Sequence, residues 1–302
     1  MTDVPTTART ALLPDRGVVC VVGEDAQKLL QGVITGDMER LAGQQALYAA
    51  LLTPQGKMLF DFFVVKVPGG FLLETARDKA SDLAKRLALY KLRARVDIRE
   101  VSAEFCVLAV WGDAHHGFGK TIGGVVFEDP RLGALGSRIL GETPLAQDMA
   151  ATNRIDATAE DYHAHRIALG VPEGGKDFAF GDAFPHEADL DQLGGVSFTK
   201  GCFIGQEVVS RMQNRATVRK RVVGVTGEAP LASGTEIVAG AAIIGSIGSV
   251  AGNQALALVR LDRAAEASAK GQQLQAGGIA ITLRKPSWAK FDMALVAPAE
   301  AS

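Results

Sequence analysis

Cysteine is scarce in this sequence. Its 302 residues include three, Cys20, Cys106 and Cys202, none of them in a CxxC pair. An odd, sparse count builds neither a disulfide framework nor a four-thiolate zinc or cluster site, and it suits a reducing compartment, so a cytoplasmic protein is expected. No run of about 18 apolar residues occurs, which excludes a membrane-spanning helix. Neither sign of charge dominates: 32 Lys and Arg against 34 Asp and Glu leave a net charge of −2. That balance removes the global electrostatic case for wrapping nucleic acid or coating an anionic membrane. The opening MTDVPTTARTALLPDRG has neither a basic start with an apolar stretch nor the Arg/Ser-rich character of an organelle leader, so a soluble, unprocessed chain is expected. No fixed-period repeat points to a solenoid or propeller.

What is present is an ordinary folding composition, 47% hydrophobic and 22% charged, in a length suited to two or three domains. RGVVCVVG (16–23) reads as a strand, and 24–34 as a helix through Ala26, Leu29, Leu30 and Val33. QALYAALL (45–52), the turn TPQG (53–56) and KMLFDFFVVKV (57–67) read as a hairpin, with FLLETA as a third strand. Ala80, Leu83, Ala84, Leu87 and Tyr90 form a helical stripe over 77–90, and 95–101 closes an α+β subdomain spanning 1–100. A second, 101–220, has strands at 104–112, 121–129 and 136–140, and a helix at 158–169 started by a Thr158–Asp161 capping box. The Gly-, Pro- and Asp-rich stretch 171–201 reads as a long ordered loop, which is usually functional. Short β-rich runs with regular glycine turns predict a small β-barrel over 221–290, followed by a tail, 291–302.

AHHGFGKT (114–121) matches a relaxed phosphate-loop pattern, but IGGVVFEDP follows it, a strand sequence where the motif needs a helix. A glycine-rich turn is the better reading. His163 and His165 lie two apart on a helix and point to different faces, so they do not chelate one metal. They and His115 and His116 read as surface or hydrogen-bonding residues, while His186, in the long loop, carries slightly more interest.

Chemistry concentrates in FTKGCFIGQEVVSRMQNRATVRKR (198–221). Cys202 lies between Gly201 and Phe203, before a helical stretch and two residues from Lys200, a setting that lowers a thiol pKa. Cys20 and Cys106 lie in apolar runs and read as small buried hydrophobes. Cys202 is thus the candidate nucleophile or transient cluster or persulfide ligand, with Lys200 lowering its pKa. Gly201 and Gly205 would permit close approach, and Gln206 and Glu207 would hold the loop through backbone hydrogen bonds. Arg211 and Arg215, with Arg219, Lys220 and Arg221, would present a basic face to a carboxylate, a phosphate or an acidic partner.

KGCFIGQE (200–207) and the basic stretch after it resemble the signature of the YgfZ-type proteins, folate-binding-fold factors that support iron–sulfur cluster assembly. RGVVCVVGEDAQKLLQGVITGDMERL, LLTPQGKMLFDFFVV, RIALGVPEG and the C-terminal β region extend the resemblance along most of the chain. It implies an α+β fold similar to the glycine cleavage T-protein, two α+β subdomains around a central cavity plus a C-terminal β-barrel. It implies tetrahydrofolate as cofactor, with Asp61 and Arg166 at that site, and transient partnership with assembly proteins or client enzymes. The rival reading is a tetrahydrofolate-dependent aminomethyltransferase. Against it, Phe60-Asp61 stands where transferases have an acidic pair, and RIALG offers Ala168 where they have a glutamate. A pterin donor left unpaired costs roughly 1–3 kcal/mol, about tenfold to a hundredfold in affinity. A maturation factor rather than a turnover enzyme is therefore expected. Since a cluster normally takes four ligands, one thiol implies that any cluster is shared with a partner.

Overall fold

The computed structural model describes residues 8–112, 124–151, 154–215 and 218–293. The phosphate-loop match with His115 and His116, and most of the C-terminal tail, lie outside these residues. The chain divides into two compact units, Met1–Tyr162 with Leu193–Gln206, and His163–Gln192 with Glu207–Ser302. The long loop is therefore shared between them.

The first unit begins with β1 (Arg9–Leu12), β2 (Arg16–Val22), α1 (Ala26–Val33), β3 (Ala46–Leu52), β4 (Met58–Val67) and β5 (Gly70–Ala76). It continues with α2 (Arg77–Lys91), β6 (Asp97–Glu100), β7 (Phe105–Trp111), β8 (Val125–Glu128), β9 (Ser137–Glu142) and α3 (Thr143–Ala151). Five strands pair antiparallel in the order β3-β4-β5-β2-β6, and four in the order β1-β7-β9-β8. Alternation along β4 sends Phe60, Phe62 and Val64 into a core with Leu30 of α1 and Leu83 and Leu87 of α2. Phe63 points the other way, its ring centroid 5.9 Å from that of Phe127 on the second sheet.

Between these sheets lies a buried ionic cluster. Glu74 on β5 accepts from Arg16 Nε at 2.9 Å and pairs with Arg138 on β9. Asp129 pairs with Arg131 at 2.8 Å and with Arg138 at 3.4 Å. The two guanidiniums Arg131 and Arg138 each stack 4.8 Å from the Phe63 centroid. Burial opposes the charge on Asp129, yet the two arginines hold its carboxyl below the usual range.

α4 (Ala159–Leu169) and α5 (Gln206–Arg215) follow. The capping box expected at α4 is present: Asp161 N–H donates to Thr158 Oγ1 at 3.2 Å, and Thr158 N–H to Asp161 Oδ2 at 2.9 Å. In the second unit β10 (Lys220–Gly227), β11 (Glu236–Ala239), β12 (Ala242–Ala251), β13 (Gln254–Arg260), β14 (Leu274–Ala276) and β15 (Ile279–Arg284) close a barrel. The barrel also carries α6 (Leu261–Ala269), where the sequence reading expected almost no helix. Its buried stripe of Leu261, Ala264 and Ala267 repeats every third residue, but alanines gave it little contrast against flanking strands.

Candidate functional site

The KGCFIGQ segment folds onto the first unit. Thr35, just past α1, donates its Oγ1 proton to Gly195 O at 2.6 Å, accepts from Ala50 N–H at 2.8 Å, and takes Ser197 N–H on its carbonyl at 2.9 Å. Farther along, Gly205 packs against the β3–β4 turn. Its φ is +80°, and a Cβ there would stand 2.6 Å from Thr53 O and 3.0 Å from Gly56 Cα. Between these anchors the chain rises to an exposed apex, Gly201 and Cys202.

Cys202 is the exposed member of the three free thiols; Cys20 is half-buried and Cys106 buried. Burial pushes both of those thiols up from their ordinary pKa. Exposure thus separates Cys202 from the other two, although Cys20, read from sequence as buried, is only half-buried.

Lys200 does not serve the thiol as expected. Its side chain is only 8% exposed, and its ammonium donates to Ile34 O at 2.8 Å and Gly36 O at 2.7 Å. The ammonium also lies 5.4 Å from the centroid of the buried Phe203 ring. Burial lowers its pKa to about 8, with Asp37 opposing the shift. Among the described residues no hydrogen bond joins it to Cys202, so activation of the thiol by Lys200 is corrected to a structural tie.

The other site residues also separate by role. Gly201 avoids the left-handed region and a Cβ there meets nothing within 4 Å, whereas Gly205 is required by both conformation and space. Gly201→Ala is expected to change unfolding free energy by less than about 0.5 kcal/mol. Gly205→Ala is expected to cost about 1–3 kcal/mol. Parallel urea titrations of the two variants measure the difference. Gln206 closes its turn with its backbone, the N–H donating to Phe203 O at 3.2 Å. Glu207 does not hold the loop: it is 84% exposed and its Oε1 pairs with Arg211 at 2.7 Å, one helical turn on. Exposed Arg211 is thus partly neutralised, and the side chain of Arg215 lies outside the description.

Asp61 and Arg166 both have partners within the protein. Buried Asp61 accepts from Tyr48 Oη at 2.8 Å. Arg166, with no exposed surface, donates to Val171 O at 2.6 Å, Asp177 Oδ2 at 2.7 Å and Ser249 Oγ at 2.8 Å. Glu173 flanks its Nε at 3.3 Å. Phe60 belongs to the apolar core, and Ala168 is an exposed residue with no carboxylate. His186 is likewise structural: its ring bonds Gln213 at 3.0 Å, and burial lowers its pKa. A cleft of about 700 Å³ in the first unit, lined by Cys20, Leu72, Phe105 and Leu140, includes none of the site residues chosen from sequence.

Sequence reasoning missed Thr35, Asp177 and Glu173. The last two stand in PEGGKD, where two carboxylates near a helix-end arginine are the legible signal.

The fold defines the class. The chain superposes on the glycine cleavage aminomethyltransferase T of Bartonella henselae with a TM-score of 0.75 at 17% identity, covering 94% of this chain and 86% of that one. Residues 16–116 match the model of the GCVT N-terminal domain, and 219–291 that of the CAF17 C-terminal β-barrel domain. This is the aminomethyltransferase fold, with its barrel. The human mitochondrial iron–sulfur cluster assembly factor IBA57 is 33% identical over 260 residues, 80% of this chain and 72% of that protein. The Mycosarcoma maydis homologue is 34% identical over 231 residues, 72% of this chain. The chain belongs to the IBA57 family of iron–sulfur cluster assembly factors. It spans 52–57% of the length of the relatives from Mycosarcoma maydis, Neurospora crassa and Pyricularia oryzae. The cytoplasmic location expected from cysteine usage is overturned, since these relatives are named as mitochondrial. A sparse cysteine count reports a reducing environment and does not distinguish one such compartment from another.

Proposed function

We propose that this protein assists the assembly or repair of [4Fe–4S] proteins, as the YgfZ-type resemblance implies, with Cys202 as its working thiol. The carrying observation is the contrast among the thiols: Cys202 stands exposed at an apex tied down on both sides, while Cys20 and Cys106 sit in the sheets. A thiol so held can bind iron as the thiolate, releasing its proton. One thiolate does not complete a cluster's ligand set, so the cluster is cargo shared with an assembly protein or a client enzyme in a transient complex.

Complementation tests this. In cells lacking the protein, wild type and Cys106→Ala are expected to restore a [4Fe–4S] enzyme, and Cys202→Ala to leave it at the level of the empty vector. Full rescue by Cys202→Ala removes the thiol from the function. Rescue of glycine cleavage alone would instead support a folate-dependent transferase.

A further inference from the structure

We propose that Lys200 is a positioning residue for the Cys202 thiol, its buried ammonium clamping the loop to the carbonyls of Ile34 and Gly36 at the end of α1. The inference rests on the reading of Cys202 as the working thiol. Three observations converge on it.

The first is direction. Lys200 and Cys202 are separated by one glycine, yet one side chain is buried and the other exposed. The backbone turns between an inward tie and an outward tip.

The second is the receiving end. Ile34 is the C-cap of α1, and Ile34 and Gly36 present carbonyls where that helix ends. A cation at a helix C-terminus is favoured by the helix dipole, and the ammonium bonds both oxygens at once.

The third is distribution. Thr35, lying between the two carbonyls that Lys200 bonds, fixes Gly195 and Ser197, and Gly205 is fixed on the β3–β4 turn. Lys200 and the buried Phe203 therefore flank the thiol on either side, Lys200 being the polar tie of the two, and Gly201 is open on its Cβ side. Thiolate transfer chemistry depends on placement, and displacement of a reacting group by about 1 Å can cost about a hundredfold.

The test uses the full chain with Cys20→Ala and Cys106→Ala, a nitroxide attached to Cys202, and Lys200 or Met at position 200. The comparator is Leu83→Ala, a core change in the same unit. At a temperature where every variant is folded, Lys200→Met is expected to shift the spectrum toward fast motion, while Leu83→Ala leaves it like wild type. Unlabelled Lys200→Met, with its cysteines intact, is expected to lose about tenfold or more in rescue of the [4Fe–4S] enzyme relative to Leu83→Ala. An unchanged spectrum, equal loosening in Leu83→Ala, or a loosened loop with full rescue each overturns the proposal. If Lys200→Met does not fold, Lys200→Gln, which is uncharged and one bond too short to reach both carbonyls, is read in its place with the same expected outcomes. Should Cys202→Ala rescue fully, the functional reading fails, while the spectrum still decides whether Lys200 holds the loop.

Discussion

Glu74→Ala is expected to destabilise the first unit by about 3–5 kcal/mol, among the largest effects of any single substitution in the chain. Glu74 has no exposed surface and stands between Arg16 and Arg138. Removing the carboxylate takes a buried counter-charge from two buried guanidiniums. Among the described residues Asp129 is the other acid paired with Arg138, at 3.4 Å, and it already carries Arg131 at 2.8 Å. The measurement is urea unfolding followed by Trp111, which belongs to this unit. A loss under about 1 kcal/mol would place the cluster with exposed ion pairs in energetic weight.

Arg166→Met is the second large effect, in the other unit, and it separates two roles for one residue. The arginine ties α4 to the loop carbonyl of Val171, to Asp177 and to Ser249 on β12. Asp177 in turn accepts Glu173 N–H at 2.9 Å and Ser249 N–H at 2.7 Å. Methionine fills the volume but takes the cation from buried Asp177, while Glu173 keeps Lys176 at 3.1 Å, so a loss of about 3–5 kcal/mol is expected. Trp288 reports this unit, its indole N–H donating to Leu169 O at 2.9 Å. A ligand-contacting arginine would behave oppositely, giving an unchanged unfolding midpoint with weakened tetrahydrofolate binding.

Local pattern carried most of the architecture. The stripe Ala26, Leu29, Leu30 and Val33 is the buried face of α1, and TPQG is the turn between β3 and β4. Regular glycine turns located the barrel. β1 was not legible because four residues, RTAL, pair with β7 about a hundred positions later, and so short a run has no period of its own. The candidate site was marked in the sequence more by position than by role. Cys202 stood out by its neighbours, and Gly205 by its place in the motif. Lys200 misled because proximity in sequence suggested proximity in space, whereas its partners are carbonyls that every residue possesses and that no side-chain pattern marks. Arg166 misled in the same way: a helix-end arginine looks alike whether it faces a ligand or two acids of its own chain.

The tie between Lys200 and the end of α1 spans 164 to 166 residues of sequence. Both sheets of the first unit are complete by Glu142, long before the thiol-bearing loop is synthesised. A contact at such separation closes a long loop, and closing it costs chain entropy that only the finished interactions repay. On a ribosome the chain reaches the thiol-bearing loop last among the parts of the first unit, so a nascent or prematurely terminated chain has the residues of both sheets without the exposed thiol. The exposed thiol is set in place only when the chain returns to its own beginning.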